Sequence, residues 1–237
     1  MTHPSLFTTE NSIEKFDVVY KTAMEHGIFF GVTIPSPRRI QHESWSVLHQ
    51  REQRYAQNLH GIRKMTYVGG RIAGRLALQT IQQEHLDIEM DPFGAPFVRA
   101  PISISIAHKN EFAIALISKR RHTSIGVDVE QIHPERLGIA SKVLTAKELE
   151  IWQGLPQDRQ WNYLLLTFSL KESIFKALAP KWKRYIGFME AEVYPQTNHY
   201  AQIKLTPEHH DILPLHIEGR FFWYEQYLIT SVQATWN

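Results

Sequence analysis

The sequence predicts an α+β fold in two halves of similar size, residues 1–120 and 121–237, and three observations carry that expectation. At 237 residues, 43% of them hydrophobic, the chain can bury one large core or two packed ones. Helical and extended patterns alternate twice along it: helix then strands, followed by strand, helices and strands. No low-complexity linker separates the halves, so they are expected to pack together and hold a ligand in the cleft between them.

Each element can be justified in order. The first residues read as irregular, with a strand around 28–34. A helical pattern covers 43–83, broken near Gly61, although Gly69, Gly70 and Gly74 lower its helix propensity. DPFGAPFVRAP, 91–101, carries three prolines and a glycine and reads as a loop. ISISIAH and EFAIALIS then alternate or run apolar like paired strands joined by a turn at 108–110, and TSIGVDVEQI continues the sheet. Thr145 and Glu148 form a capping-box signature that opens a second helical block, which resumes over 159–178. HYAQIKL, LHIEGRFFWYEQ and YLITSVQAT read as strands.

Composition excludes several functions. Lys plus Arg at 26 against Asp plus Glu at 24 gives a net charge of +2, so there is no bulk field for nucleic acid or an anionic membrane, and any anion site must be local. The absence of cysteine excludes disulfides, thiolate metal sites and cysteine nucleophiles, and fits the cytoplasm. The opening MTHPSLFTTENSIEKF lacks a cationic segment followed by an apolar block, so no secretory signal is expected. No run of about 18 apolar residues suggests a membrane span. A soluble monomer is the expectation.

Three stretches carry chemistry. In SIGVDVE, strand alternation puts Gly126, Asp128 and Glu130 on one face, which is either a solvated acidic edge or a site for Mg²⁺, a cation that prefers oxygen ligands. In TFSLKESIFKAL, the apolar positions of a helix leave a narrow polar stripe of Ser169, Glu172, Ser173 and Lys176. Glu172 and Lys176 form an ordinary i, i+4 pair, or Glu172 completes a carboxylate trio with Asp128 and Glu130 whose repulsion a cation relieves. In GIRKMTYVGGRIAGRL, Arg71 and Arg75 share a helix face, Lys64 lies two turns before Arg71, and Arg63 is a quarter-turn away. That stripe is a solvated basic face or a phosphate site, with glycines that allow close approach. His108, at a strand end beside Lys109, is a turn residue or a ligand contact.

Together these segments resemble the 4′-phosphopantetheinyl transferase superfamily, in its longer, single-chain surfactin- and enterobactin-synthetase type. GVDVE at 126–130 is similar to the signature G-(I/V)-D-(hydrophobic)-E. FSLKESIFKA at 168–177 is similar to (W/F)-x-x-K-E-S/A-x-x-K. RKMTYVGGRIAGRLAL at 63–78 resembles the family's Arg-rich helix, and SIAH at 105–108 its turn ending in His. The resemblance implies a pseudo-dimer of two α+β halves with the active site in the cleft. It implies transfer of the phosphopantetheine arm of coenzyme A to a serine of an acyl or peptidyl carrier protein, with release of adenosine 3′,5′-bisphosphate, in a pathway that is siderophore, polyketide or fatty-acid synthesis.

Carried over residue by residue, the resemblance gives Asp128, Glu130 and Glu172 as ligands of Mg²⁺ or Mn²⁺. Arg63, Arg71 and His108 hold the coenzyme A phosphates, and Lys171 or Lys176 neutralises charge beside them. Glu172, directly or through a water, accepts the serine proton, so that Glu172, Lys176 and Asp128 form the catalytic set. Two positions depart from the family pattern: Thr66, where an acidic residue is common, and the loop at Phe93 and Ala95, where a basic one is. The competing reading of three carboxylates with a basic helix is a metal-dependent phosphohydrolase or nuclease, and the non-enzymatic one is a carrier-protein or nucleotide-binding module.

Overall fold

A computed structural model of the chain describes residues 16–35, 45–206 and 213–237. It divides into two compact units between Arg121 and His122. No described helix is long and apolar enough to cross a membrane.

The first unit contains β1 (Val18–Met24), β2 (Gly27–Thr33), α1 (Gln50–Gln57), α2 (Gly61–Gln79), the short pair β3 (Glu89–Met90) and β4 (Pro96–Phe97), β5 (Ser103–Lys109) and β6 (Phe112–Ser118). Its four-stranded sheet has the order β1-β2-β6-β5, antiparallel throughout. Helix α2 lies across this sheet and buries Met65, Val68, Ile72 and Ala73 against Val32, Ala113 and Ala115. The three glycines of α2 belong to that contact. A Cβ on Gly69, Gly70 or Gly74 would stand 2.9, 2.7 or 2.8 Å from the side chains of Ile34, Ile106 and Ile88. Close approach is therefore made by the protein's own isoleucines, and the low helix propensity of these residues is offset by packing.

The expected break near Gly61 is present, and two other readings change here. The helical pattern over 43–83 is two helices, separated at 58–60, and its residues 43 and 44 lie outside the described ones. The segment DPFGAP is a tight hairpin: Asp91 Oδ1 accepts hydrogen bonds from the backbone N–H of Phe93 at 2.9 Å and of Ala95 at 2.8 Å. Strand β1 was hidden in a stretch that reads as irregular.

The second unit contains β7 (Thr123–Gln131), α3 (Ala140–Val143), α4 (Ala146–Gln153), α5 (Gln157–Trp182), β8 (Ala191–Pro195), β9 (Tyr200–Leu205), β10 (His216–Tyr224) and β11 (Tyr227–Thr235). The order of its antiparallel sheet is β7-β11-β10-β9-β8. The 26-residue α5 packs mainly on β7 and β11, and its Leu164, Leu170, Ile174 and Leu178 share a core with Val193, Leu228 and Val232. The capping box at the start of α4 is formed: Thr145 N–H donates to Glu148 Oε2 at 2.8 Å, and Glu148 N–H to Thr145 Oγ1 at 3.4 Å. Helix and strand meet backbone to backbone at Gly126, where any Cβ would lie 1.9 Å from the Ser173 carbonyl oxygen. This fixes which residues of α5 face the GVDVE strand.

Candidate active site

The polar stripe of α5 is buried against the sheet. On β7, Asp128 is 6% exposed and stands in register opposite Thr230 of β11. Lys176 Nζ donates to Asp128 Oδ1 at 2.8 Å and to the Val127 carbonyl at 2.9 Å, which uses two of its three protons. Ser169 Oγ donates to Asp128 Oδ2 at 2.8 Å. The carboxylate is thus gripped on both oxygens, and the ion pair that matters for Lys176 crosses to the strand.

Glu172, half-buried on the same stripe, has its carboxyl held above the ordinary value. Burial is the main cause; the charge of Asp128 adds to it, Lys176 opposes it and Glu130 adds further. It therefore senses both acidic residues of the strand. Among the described residues, however, no group of three or more His, Asp or Glu side chains is placed to hold a metal ion, and the cation on Asp128 is Lys176. The chemistry of the three carboxylates suits Mg²⁺ in one respect, since they offer only oxygen, the donor that this cation prefers.

Lys171 corrects an expectation. Its side chain is 2% exposed, and its ammonium donates to Glu148 Oε2 at 2.6 Å and to the carbonyls of Val143 and Phe188, each at 2.8 Å. All three protons are used inside the unit, so none is offered to a phosphate. Glu148 is itself completed by Thr145 N–H and, at 2.7 Å, by Val193 N–H. Burial pulls the Lys171 ammonium below the usual lysine range, and Glu148 opposes that pull. The physical reason for the correction is helical phase: at about 100° per residue, Lys171 lies roughly opposite the stripe that carries Glu172 and Lys176.

In the first unit the basic helix does not present one continuous cationic face. Arg75 is buried and ion-paired to Glu52 at 2.6 Å, with a second bond to the Glu84 carbonyl at 3.2 Å. Lys64 lies over the ring of Trp45, 4.5 Å from its centroid. Arg71 is 4% exposed, rests 5.1 Å from the centroid of Tyr67, and keeps a buried Nη1 without a hydrogen-bond partner among the described residues. Arg63 and His108 are exposed. Thr66 donates its hydroxyl to the Arg63 carbonyl at 3.2 Å, a bond within its own helix. Phe93 is 57% exposed, so it does not anchor its loop; Asp91 does.

Sequence reasoning missed Thr230 and treated Glu148 only as a helix cap. Thr230 lies 61 and 57 residues from Ser169 and Ser173, which it touches, and strand register sets it opposite Asp128. Glu148 could have been matched to Lys171 by asking which lysine of KESIFK falls off the polar stripe.

Residues 124–232 match the family described as the 4′-phosphopantetheinyl transferase superfamily, and residues 51–118 match its N-terminal domain. The chain belongs to the 4′-phosphopantetheinyl transferase superfamily. It is 29% identical over 140 residues to the 4′-phosphopantetheinyl transferase Npt of Nocardia iowensis, covering 55% of this chain and 59% of that one. It is 37% identical over 75 residues to a holo-[acyl-carrier-protein] synthase of Lactobacillus johnsonii, 28% of this chain and 63% of the relative. Both matches span less than two thirds of the relative. Among solved structures, the holo-[acyl-carrier-protein] synthase of Thermotoga maritima aligns at 16% identity over 48% of this chain and 64% of that one, with a TM-score of 0.40. That likeness is too remote to add to the assignment. GVDVE on β7 and FSLKESIFKA on α5 both lie inside the matched span 124–232, and they meet at Asp128.

Proposed function

We propose that the chain transfers the 4′-phosphopantetheine arm of coenzyme A to a serine of an acyl or peptidyl carrier protein and releases adenosine 3′,5′-bisphosphate. The observation that carries this reading is the pairing of Glu172, a carboxyl made more basic than usual, with an Asp128 held by Lys176, all on the superfamily's two signatures. A carboxyl raised by burial and a neighbouring charge is a better proton acceptor than an ordinary one. Glu172, directly or through a water, takes the serine proton as the serine oxygen bonds to the β-phosphorus. The bond from that phosphorus to the bridging oxygen breaks, and the electrons leave with adenosine 3′,5′-bisphosphate. Lys176, with one proton not used by Asp128 or Val127, offsets charge on the pyrophosphate.

Asp128, Glu130 and Glu172 would hold Mg²⁺, or Mn²⁺ in its place, and the metal when bound would supply charge neutralisation at the pyrophosphate. Arg63, Arg71 and His108 of the first unit would hold the phosphates of coenzyme A. We place the reaction in the cytoplasm, carried out by a monomer in a carrier-dependent pathway such as siderophore or polyketide synthesis. Mass spectrometry of a panel of apo carrier proteins, incubated with the chain, Mg²⁺ and coenzyme A, tests this. The expected result is a mass gain equal to phosphopantetheine with one equivalent of adenosine 3′,5′-bisphosphate. Cleavage of coenzyme A without any acceptor would instead establish a phosphohydrolase.

A further inference from the structure

Behind Asp128 lie three hydroxyls that no part of the proposed chemistry uses: Ser169 and Ser173 on α5 and Thr230 on β11, all fully buried. Ser169 Oγ is 2.8 Å from Asp128 Oδ2 and 2.9 Å from Thr230 Oγ1, and Thr230 Oγ1 is 2.8 Å from Ser173 Oγ. The direction of this chain follows from its end. An ionised carboxylate only accepts, so the single proton of Ser169 is committed to Asp128. Ser169 then has none for Thr230, so Thr230 donates towards Ser169, sharing its proton between Ser169 Oγ and the Ser169 carbonyl at 2.9 Å. Ser173 in turn donates towards Thr230, to its hydroxyl or to its carbonyl at 3.2 Å.

Along the hydroxyl contacts the protons therefore run from Ser173 through Thr230 to Ser169 and Asp128, with the Thr230 and Ser169 carbonyls as second acceptors, and in a buried chain each link polarises the next. Satisfying buried hydroxyls does not by itself require one direction; ending on a carboxylate does. Lys176 holds Oδ1 from the other side, so the plane of the Asp128 carboxylate is fixed between an ammonium and a directed hydrogen-bond chain.

We propose that Ser173, Thr230 and Ser169 form a positioning relay for Asp128, with Thr230 as its middle link. The relay orients the carboxylate for the transfer step and touches no substrate. The inference rests on the transferase reading and adds to it a residue outside both signatures.

The test is Thr230→Val, which keeps the branched shape and deletes the hydroxyl, beside Thr230→Ser, which keeps the hydroxyl and deletes the methyl. Transfer to an apo carrier protein is measured on folded protein, with melting curves run in parallel. Thr230→Val is expected to lower kcat roughly 10- to 100-fold, the scale of a misplaced catalytic group. KM for coenzyme A should stay within about twofold, and Thr230→Ser should restore most of kcat. A hydroxyl that served only folding would lower the melting temperature and leave kcat unchanged. If Thr230→Val does not fold, Ser169→Ala, which removes the link on Asp128 itself, carries the same expectation. A wild-type kcat in a folded variant, or a rise in KM without loss of kcat, overturns the relay alone. A wild-type chain that transfers nothing overturns the functional reading, and the relay with it.

Discussion

Helices α2 and α5 pose the same structural problem and solve it in opposite ways. Each is the long helix of its unit and lies on an antiparallel sheet. The sheet-facing side of α2 is apolar and thinned by glycines, and three of its cations, Arg75, Lys64 and Arg71, are met one at a time by Glu52, Trp45 and Tyr67. On α5 the polar groups are in the packing interface itself, bonded across to Asp128 and Thr230. Substitutions on α2 should therefore separate ligand binding from stability. On α5 the two are joined, because the groups that do chemistry also hold helix to strand.

The sharpest way to break this comparison is Lys171→Met. It leaves Glu148, fully buried, with two backbone donors and no ammonium. Breaking a buried pair from one side costs about 3–5 kcal/mol, so urea unfolding should show a loss of that order. An unchanged midpoint would mean that the α5 interface tolerates a stranded charge.

Glu172→Gln should behave differently, losing transfer while gaining stability. The carboxyl of Glu172 is raised in the folded chain above its ordinary value of 4.5. Its protonated form is favoured by folding, so its contribution is fully present below the unfolded value and lost as pH rises through the folded one. Glutamine does not titrate. In the absence of divalent cations, the variant should melt with wild type near pH 4 and above it at pH 8. Equal melting temperatures at both would remove Glu172 from the acidic cluster.

On the other helix, Arg71→Ala is expected to raise KM for coenzyme A by about tenfold, with a smaller effect on kcat. Dephospho-coenzyme A should show less discrimination if Arg71 grips the 3′-phosphate. A fall in kcat at constant KM would put Arg71 among the groups that act in the transition state. The smallest effect belongs to Phe93→Lys. Because Asp91 holds the hairpin and the ring is exposed, the change should leave the fold intact. It should tighten coenzyme A binding by about 1 kcal/mol, with a steeper salt dependence in calorimetry. Unchanged affinity would show that the hairpin does not reach the ligand.

Much of this was legible in the sequence because the signal was local. The alternation in SIGVDVE, the stripe of Ser169, Glu172, Ser173 and Lys176, and the cap at Thr145 and Glu148 each depend on a few neighbouring residues, and each is present. What stayed hidden depends on register and phase. Thr230 is one polar residue in an apolar strand until pairing with β7 sets it opposite Asp128. Lys171 and Lys176 are the same residue type five positions apart, and only the turn of the helix sends one into the core and the other to the strand. The DPFGAP hairpin was obscured because prolines and a glycine mark any loop, while the bonds to Asp91 are specific to this one.

The Glu148 cluster has a further consequence, for how the parts of the second unit are joined. Its cap on α4 needs only Thr145, three residues away, but its ammonium comes from α5 and its last donor, Val193, from β8. Entering the core with fewer partners would desolvate a charge without compensation. One buried carboxylate therefore ties the start of α4, the middle of α5 and strand β8 together, so that displacing any one of the three leaves part of its charge stranded.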